Sequence, residues 1–309
     1  KALDGDYDAI RYCICCCHCF DVAFSRSQTE CSVNAELGKE RLQKAKAAKN
    51  ILVIGGGPAG MEAARVLALR GHSVALHEKG SSLGGKLGIA SAPPDKDEIA
   101  KLSDFQQYEL NRLGVTIKLN EDSNEFDGYD GIIVATGGKE RTISIKGMDT
   151  MPVYPAGQIL SGSVEPQDPV IIVGAGIVGG ETGAYLSAKG HTVSLVEILN
   201  KPLMDMGPSL RWVLLERLKK ADVKMYTSAS VSEISRDGVM VQTQEGDITL
   251  EAGTLVIAVG YEPDAGLIDE LKKTDIPFCV IGDSRSPRRI KDAVHEGFWA
   301  ATDWVDELE

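Results

Sequence analysis

Hydrophobic positions along this 309-residue chain fall into short dense runs broken by glycine, and the order of those runs repeats. Ile51 to Ile54 form one run, apolar at every position, as a strand covered on both faces requires. Gly55-Gly56-Gly57-Pro58-Ala59-Gly60 follows at once, then a helical pattern through Met61, Ala64, Val66 and Leu67 to Gly71, a residue suited to ending a helix. A second strand, Val74 to Leu76, runs on to Glu78. The same order returns from Val170 to Glu197, with Gly174, Gly176 and Gly179 in the glycine positions. In each copy the acidic residue lies 23 positions beyond the first glycine, Gly55 to Glu78 and Gly174 to Glu197. A glycine-rich turn alone binds nothing of necessity, but the strand, the glycines, the helix and the acidic strand end together describe a dinucleotide site. The first glycine permits the tight turn, the second lets the backbone approach a pyrophosphate, and the third lets the helix sit close to the sheet. The helix N-terminus supplies N–H groups and positive dipole, and the carboxylate can accept ribose hydroxyls.

Between and after the two copies the periodicity predicts a helix over Ile99–Leu113, a strand over Val115–Leu119, and a strand from Asp130 that runs into Ala135, Thr136 and Gly137. Strand ends of that kind face the ligand in a doubly wound sheet. Residues 81–96 read as a loop. Further on, the pattern predicts a helix over Leu210–Lys220, antiparallel strands near Lys224–Tyr226, Gly238–Thr243 and Asp247–Leu250, and a strand over Thr254–Val259. Phe278 to Asp283 is a short apolar strand with an acidic end, and Lys291–Leu308 a closing helix. Cys279 reads as a small core residue, and His295 as either a surface histidine or a residue with a role beside a flavin. Ala35–Ala48 is expected to be a charged, solvated helix leading to the first strand.

Thirty-three Lys and Arg against 45 Asp and Glu give a net charge of −12, which repels nucleic acid and anionic membrane surfaces. No apolar run approaches the roughly 18 residues of a membrane span, and the N-terminus lacks a signal-peptide core, so the expected location is the cytoplasm. The chain begins at Lys1, and the expectation is a piece of a longer polypeptide or a separate subunit, with a homo-oligomer allowed. Two nucleotide sites in one chain suit an oxidoreductase with a bound flavin nucleotide and a diffusible nicotinamide. The charge of Glu197 favours NADH over NADPH, since it would repel a 2′-phosphate.

Six of the seven cysteines lie between Cys13 and Cys31, in a segment without clean strand or helix period. Adjacent cysteines bridge poorly, so a metal centre is the better account. Cys13, Cys16, Cys19 and Cys31 give C-x2-C-x2-C-x11-C, a set of four thiolates that serves either an iron–sulfur cluster or a structural zinc; spacing favours the cluster. His18 is an alternative ligand, and Cys15 and Cys17 are expected to point away.

These residues also carry a family resemblance. Ile10-Arg11-Tyr12-Cys13-Ile14-Cys15-Cys16, Cys31-Ser32-Val33-Asn34, the Leu83–Leu87 loop, Ala135-Thr136-Gly137-Gly138, the second glycine motif and the stretch from Ile281 to Gly297 together resemble the C-terminal two-thirds of old yellow enzyme-like iron–sulfur flavoenzymes. That group includes 2,4-dienoyl-CoA reductase, 2-enoate reductase and trimethylamine dehydrogenase. The resemblance implies an α/β chain of two Rossmann-like domains of the glutathione reductase type, the second inserted in the first, after an N-terminal iron–sulfur segment. Expected boundaries are 1–48 for that segment, 49–163 with 264–309 for an FAD domain, and 164–263 for an NAD(P)H domain. It implies a [4Fe-4S] cluster on Cys13, Cys16, Cys19 and Cys31, FAD held through Gly55, Gly57, Ala59, Gly60, Glu78, Lys86, Lys96 and Asp283, and a nicotinamide on the second motif. Family members add an FMN-bearing barrel that reduces the substrate, which these residues do not contain. The chain departs from the family at Tyr12, usually proline, and at Cys15 and Cys17, which add thiols inside the loop. The function implied is an electron-input module passing electrons from NADH through FAD and the cluster to an FMN barrel in cis or in trans. The rival is a zinc-stabilised module in which ADP is structural. A disulfide reductase shares the fold but would need a redox C-x4-C after the first motif, and none is present.

Overall fold

The computed structural model describes residues 1–25, 27–38, 42–123, 125–264 and 266–308. Its elements begin with α1 (His18–Phe24), β1 (Asn50–Ile54), α2 (Pro58–Arg70), β2 (Ser73–Glu78), α3 (Leu87–Ala90), α4 (Ala100–Arg112), β3 (Thr116–Leu119), β4 (Gly131–Val134) and β5 (Gly138–Glu140). They continue with β6 (Val153–Pro155), α5 (Ala156–Leu160), β7 (Val170–Val173), α6 (Ile177–Ala188), β8 (Val193–Glu197), α7 (Pro208–Lys220), β9 (Lys224–Thr227), β10 (Ser230–Ser235), β11 (Gly238–Thr243) and β12 (Gly246–Leu250). The last are β13 (Thr254–Ile257), β14 (Tyr261–Pro263), α8 (Gly266–Leu271), β15 (Phe278–Val280) and α9 (Ile290–Trp299).

Two compact units result, one of Lys1–Ser91, Glu98–Lys139 and Glu262–Glu309, the other of Ala92–Asp97 and Glu140–Tyr261. In the first, five strands pair in the order β15-β4-β1-β2-β3. All the pairings are parallel, and β1 at the centre puts Ile54 opposite both His77 and Val134. The chain leaves β1 through α2 to β2 and β3, then returns on the other side of β1 as β4. The carboxyl ends of β1 and β4 therefore diverge, leaving the crevice in which doubly wound sheets bind ligands. The second unit repeats the plan as β6-β13-β7-β8-β9, with the corresponding divergence between β7 and β13, and adds an antiparallel sheet β10-β11-β12.

The second unit is wider than residues 164–263 because β6 pairs with β13, which draws the chain from Glu140 onward into it. Residues 92–97 join it as well. Lys96 Nζ lies 2.7 Å from Glu181 on α6, and Arg217 on α7 binds the Pro94 carbonyl at 2.8 Å and the Asp95 carboxylate. The expected helix over Ala35–Ala48 is not formed by its described residues: 35–38 make a turn and 42–48 run without helix, while residues 39–41 lie outside the described set. Alternate charges there leave no apolar stripe to bury, and the backbone is tied instead to the end of α2, through the Ala45 N–H to the Arg70 carbonyl at 2.9 Å. The closing helix is α9 followed by a π turn over Ala300–Trp304.

α2 buries charge as well as apolar surface. Glu62 is wholly enclosed and receives Arg65 through Nη2 at 2.7 Å and Nε at 3.0 Å, with Gln106 Nε2 at 3.3 Å and Arg11 Nη2 at 4.0 Å. Burial pushes its pKa up, but the guanidinium groups of Arg65 and Arg11 more than offset that and hold it below the usual carboxylate range. Glu62→Ala leaves Arg65 buried without its counter-charge and should lower the unfolding free energy by about 3–5 kcal/mol in a denaturant titration at neutral pH. Because the folded pKa is depressed, this stabilisation is present at neutral pH and lost as acid protonates Glu62. The wild-type and variant stabilities should therefore draw together in acid, and a gap that stays constant would contradict the assignment.

Candidate functional site

The first glycine turn is built on close backbone approaches. Gly55 adopts φ 109°, and a side chain there would be driven into the Ala135 carbonyl at the end of β4. A methyl on Gly60 would strike the Gly55 carbonyl oxygen, so the third glycine is required by the distance between helix and turn. A methyl on Gly57, which caps α2, would meet nothing within 4 Å. That open side is where the motif admits a pyrophosphate. Glu78 fixes the turn: its Oε2 accepts the Gly56 N–H and its Oε1 the Gly80 N–H, both at 2.6 Å.

Around this turn the unit gathers most of the residues expected from the sequence. Lys86 Nζ lies 3.1 Å from Asp283 Oδ2, bringing the loop after β2 to the residue that follows β15. Gly282, with φ 62°, lies against Ala59, where a side chain on the glycine would come within 3.0 Å of the alanine methyl. Thr136 and Gly137 both engage Ser284, through Oγ1 at 3.2 Å and the N–H at 2.7 Å. Lys96 belongs to the second unit, where it pairs with Glu181. Two contributors were missed. Ser284, buried, lies in the Ile281 to Gly297 stretch that carries the resemblance, where only Asp283 was given a role. Glu296 on α9 accepts the Gly282 N–H at 2.7 Å and binds Arg288, with no spacing to mark it.

The second turn repeats the first. Glu197, buried, accepts the Ala175 N–H at 2.6 Å and the Leu199 N–H at 2.8 Å. Gly174 has φ 97° against the Ala258 carbonyl, and Gly179 abuts the Gly174 carbonyl. Gly176 caps α6.

The cysteine segment belongs to the first unit, whose core packs against Cys16 and Cys31. The Cys16 thiol donates to Ser32 Oγ at 3.1 Å, the Cys15 N–H to Cys13 Sγ at 3.4 Å, and the Cys17 thiol to the Cys15 carbonyl at 3.8 Å. Cys15 and Cys17 both take left-handed backbone, each with φ 53°. Burial, then the charges of Cys16, Asp21, Cys19 and Cys13, pushes the Cys17 thiol above its ordinary value. Among the described residues no three His, Cys, Asp or Glu side chains converge as a single metal ion requires. A donor set of six thiols is one that either an iron–sulfur cluster or a structural zinc would accept. His18 Nε2 lies 3.4 Å from Glu30, and His295 Nε2 lies 2.9 Å from the Cys31 carbonyl, which places His295 beside the cysteine segment. Cys279 is buried in β15, and burial pushes its thiol up, as suits a core residue.

Paired glycine-turn units of this kind define the class of two-domain dinucleotide-binding folds. Residues 49–278 match the family model described as pyridine nucleotide-disulphide oxidoreductase. The chain is 37% identical to an NADH oxidase of Thermoanaerobacter brockii over 97% of this chain and 49% of that protein. It is 34% identical to a cinnamate reductase of Clostridium sporogenes over 97% of this chain and 47% of that one. Among solved structures it superposes on 2-naphthoyl-CoA reductase with a TM-score of 0.92 at 29% identity, covering 97% of this chain and 47% of the other. The chain belongs to the pyridine nucleotide-disulphide oxidoreductase family. It spans about half the length of the curated relatives it matches. Among the described residues no helix is long and apolar enough to cross a membrane.

Two glycines separate binding from folding. Gly57→Ala should melt within a few degrees of the parent protein yet retain FAD poorly through gel filtration, whereas Gly60→Ala should lose stability by well over about 1 kcal/mol. If Gly57→Ala keeps its flavin as the parent does, the open side of the turn is not the pyrophosphate seat.

Proposed function

We propose that this chain is the electron-input half of an NADH-dependent iron–sulfur flavoprotein, with FAD in the first unit, the nicotinamide in the second and a [4Fe-4S] cluster on Cys13, Cys16, Cys19 and Cys31. When bound, these groups supply hydride acceptance from NADH and single-electron transfer to an FMN barrel, in cis or in trans, that reduces an enoate or enoyl-CoA. The observation that carries the reading is the attachment of the thiol segment to the FAD unit. Cys16 and Cys31 pack on the core beneath α2, and α9 reaches Cys31 through His295 and Gly282 through Glu296. One helix thus touches both the cysteine segment and the Gly282–Asp283 end of the proposed flavin site.

The chain's own residues would bind and orient. Gly55, Gly57 and Gly60 shape the phosphate approach, Glu78 and Glu197 present carboxylates to ribose, and Lys86 offsets pyrophosphate charge. Glu197 disfavours a 2′-phosphate, which makes NADH the expected donor. No side chain is assigned as a proton donor, because hydride and electron transfer at this end require none. The relatives named as cinnamate reductase and 2-naphthoyl-CoA reductase support an unsaturated acid or its thioester as terminal acceptor.

Reconstituted with FAD, iron and sulfide, these 309 residues should oxidise NADH with ferricyanide as acceptor and should not reduce enoates or enoyl thioesters until an FMN barrel protein is added. Enoate reduction at a comparable rate without the barrel would place substrate chemistry at the FAD and sink the reading.

Serine substitutions test the ligand set. Changing Cys13, Cys16, Cys19 or Cys31 should abolish the broad visible absorbance that bleaches under dithionite, while Cys15→Ser and Cys17→Ser should keep it. The half-buried position of Cys16 beside Ser32, against the exposed Cys15, supports that register. Loss of the absorbance in Cys15→Ser with retention in Cys16→Ser would overturn it.

A further inference from the structure

One constant offset along the chain carries Gly55 to Gly174, Gly60 to Gly179, Glu78 to Glu197 and Gly84 to Leu203, and the same offset carries Lys86 to Asp205. The backbone keeps this equivalence. The Gly84 N–H donates to the Gly56 carbonyl at 2.8 Å and the Leu203 N–H to the Ala175 carbonyl at 2.7 Å, and both residues take positive φ, 112° and 58°. Two loops of like course therefore carry opposite charge at one position. Lys86 turns to Asp283, whereas Asp205 accepts the Ile177 N–H with Oδ1 at 3.0 Å and Oδ2 at 3.1 Å. Ile177 is the first residue of α6, so this carboxylate sits on the positive end of the helix that opens the second motif.

The space beside the second glycine differs in the same sense. Where a methyl on Gly57 would meet nothing within 4 Å, a methyl on Gly176 would meet Asp205 Oδ2 at 2.9 Å. The side of the turn that the motif opens to a pyrophosphate is, in the second unit, filled by a carboxylate of the chain itself.

We infer that Asp205 is a resident anion in the pyrophosphate seat of the second unit, which an incoming nicotinamide dinucleotide must displace. The inference rests on the reading of that unit as the nicotinamide site. Two anions cannot share one set of N–H donors, so affinity there reflects the pyrophosphate's advantage over Asp205. Rotation of the side chain suffices, because Leu203 is buried and holds the loop while Asp205 is exposed. A nucleotide held in competition leaves readily, as a diffusible hydride donor must after each turnover. The first unit, with a cation at the equivalent position, suits a nucleotide that stays.

The test is calorimetric titration of ADP-ribose, which carries the pyrophosphate without nicotinamide, into the FAD-loaded protein. Asp205→Asn keeps an acceptor for the Ile177 N–H and removes the charge; Asp205→Ala removes both. Each should bind ADP-ribose about three- to tenfold more tightly than the parent. Unchanged or weaker binding in Asp205→Asn, with Glu197→Ala weakening binding as expected, overturns the role of Asp205 alone. If Glu197→Ala leaves ADP-ribose affinity unaltered, the second unit is not the nicotinamide site and both readings fall.

Discussion

In each unit a single carboxylate at the end of the second strand binds three pieces of chain into one frame. Glu78 takes the N–H groups of Gly56 and Gly80, and Glu197 those of Ala175 and Leu199. Strand end, glycine turn and following loop are thereby fixed together, and the helix that starts beside the turn inherits its direction. Hydrogen bonds from backbone N–H to an ionised acceptor contribute roughly 1.5–3 kcal/mol each, enough to hold a turn whose glycines would otherwise leave it loose. In the proposed reading the acid that meets the ribose is also the acid that shapes the turn, and the two duties would use different lone pairs of one group.

Close packing beneath this frame sets how the rest of the first unit can be arranged. Gly297 on α9 comes so near the Ala59 carbonyl that a side chain would collide with it, so α9 lies directly on the opening turn of α2. That placement delivers Glu296 to Gly282 and His295 to Cys31 from adjacent positions on one helix. Arg70, at the far end of α2, bonds the Ala301 and Thr302 carbonyls and pairs with Asp306 at 2.8 Å, securing the other end of the same contact.

Strong local chemistry was legible in the sequence, and tertiary chemistry was not. Unbroken apolar runs, such as Ile51 to Ile54 in β1 and the whole of β7, and turns that only glycine can form announce themselves, as does the left-handed Gly71 that ends α2. The short strands β5, β6 and β10 went unseen because three to six residues of mixed character carry no period of their own and exist only through their partners. Ala35–Ala48 misled because charged residues of good helix propensity lack an apolar face to bury. Lys96 was placed in the wrong unit for a related reason: position along the chain says nothing of which helix a loop will lie against. Ser284 and Glu296 act through backbone groups that a sequence does not display.

The first sheet closes with β15, a strand made from the last part of the chain, while the second unit is an unbroken stretch apart from residues 92–97. As the polypeptide emerges during synthesis, the inserted unit has nearly all of its partners at hand before the unit that surrounds it. Until β15 and α9 arrive, β4 presents an open edge and α2 an uncovered apolar side, the surfaces by which half-made proteins aggregate. Order of assembly is therefore written into the topology: the interior insertion can mature early, and the outer unit must wait for its own C-terminal segment.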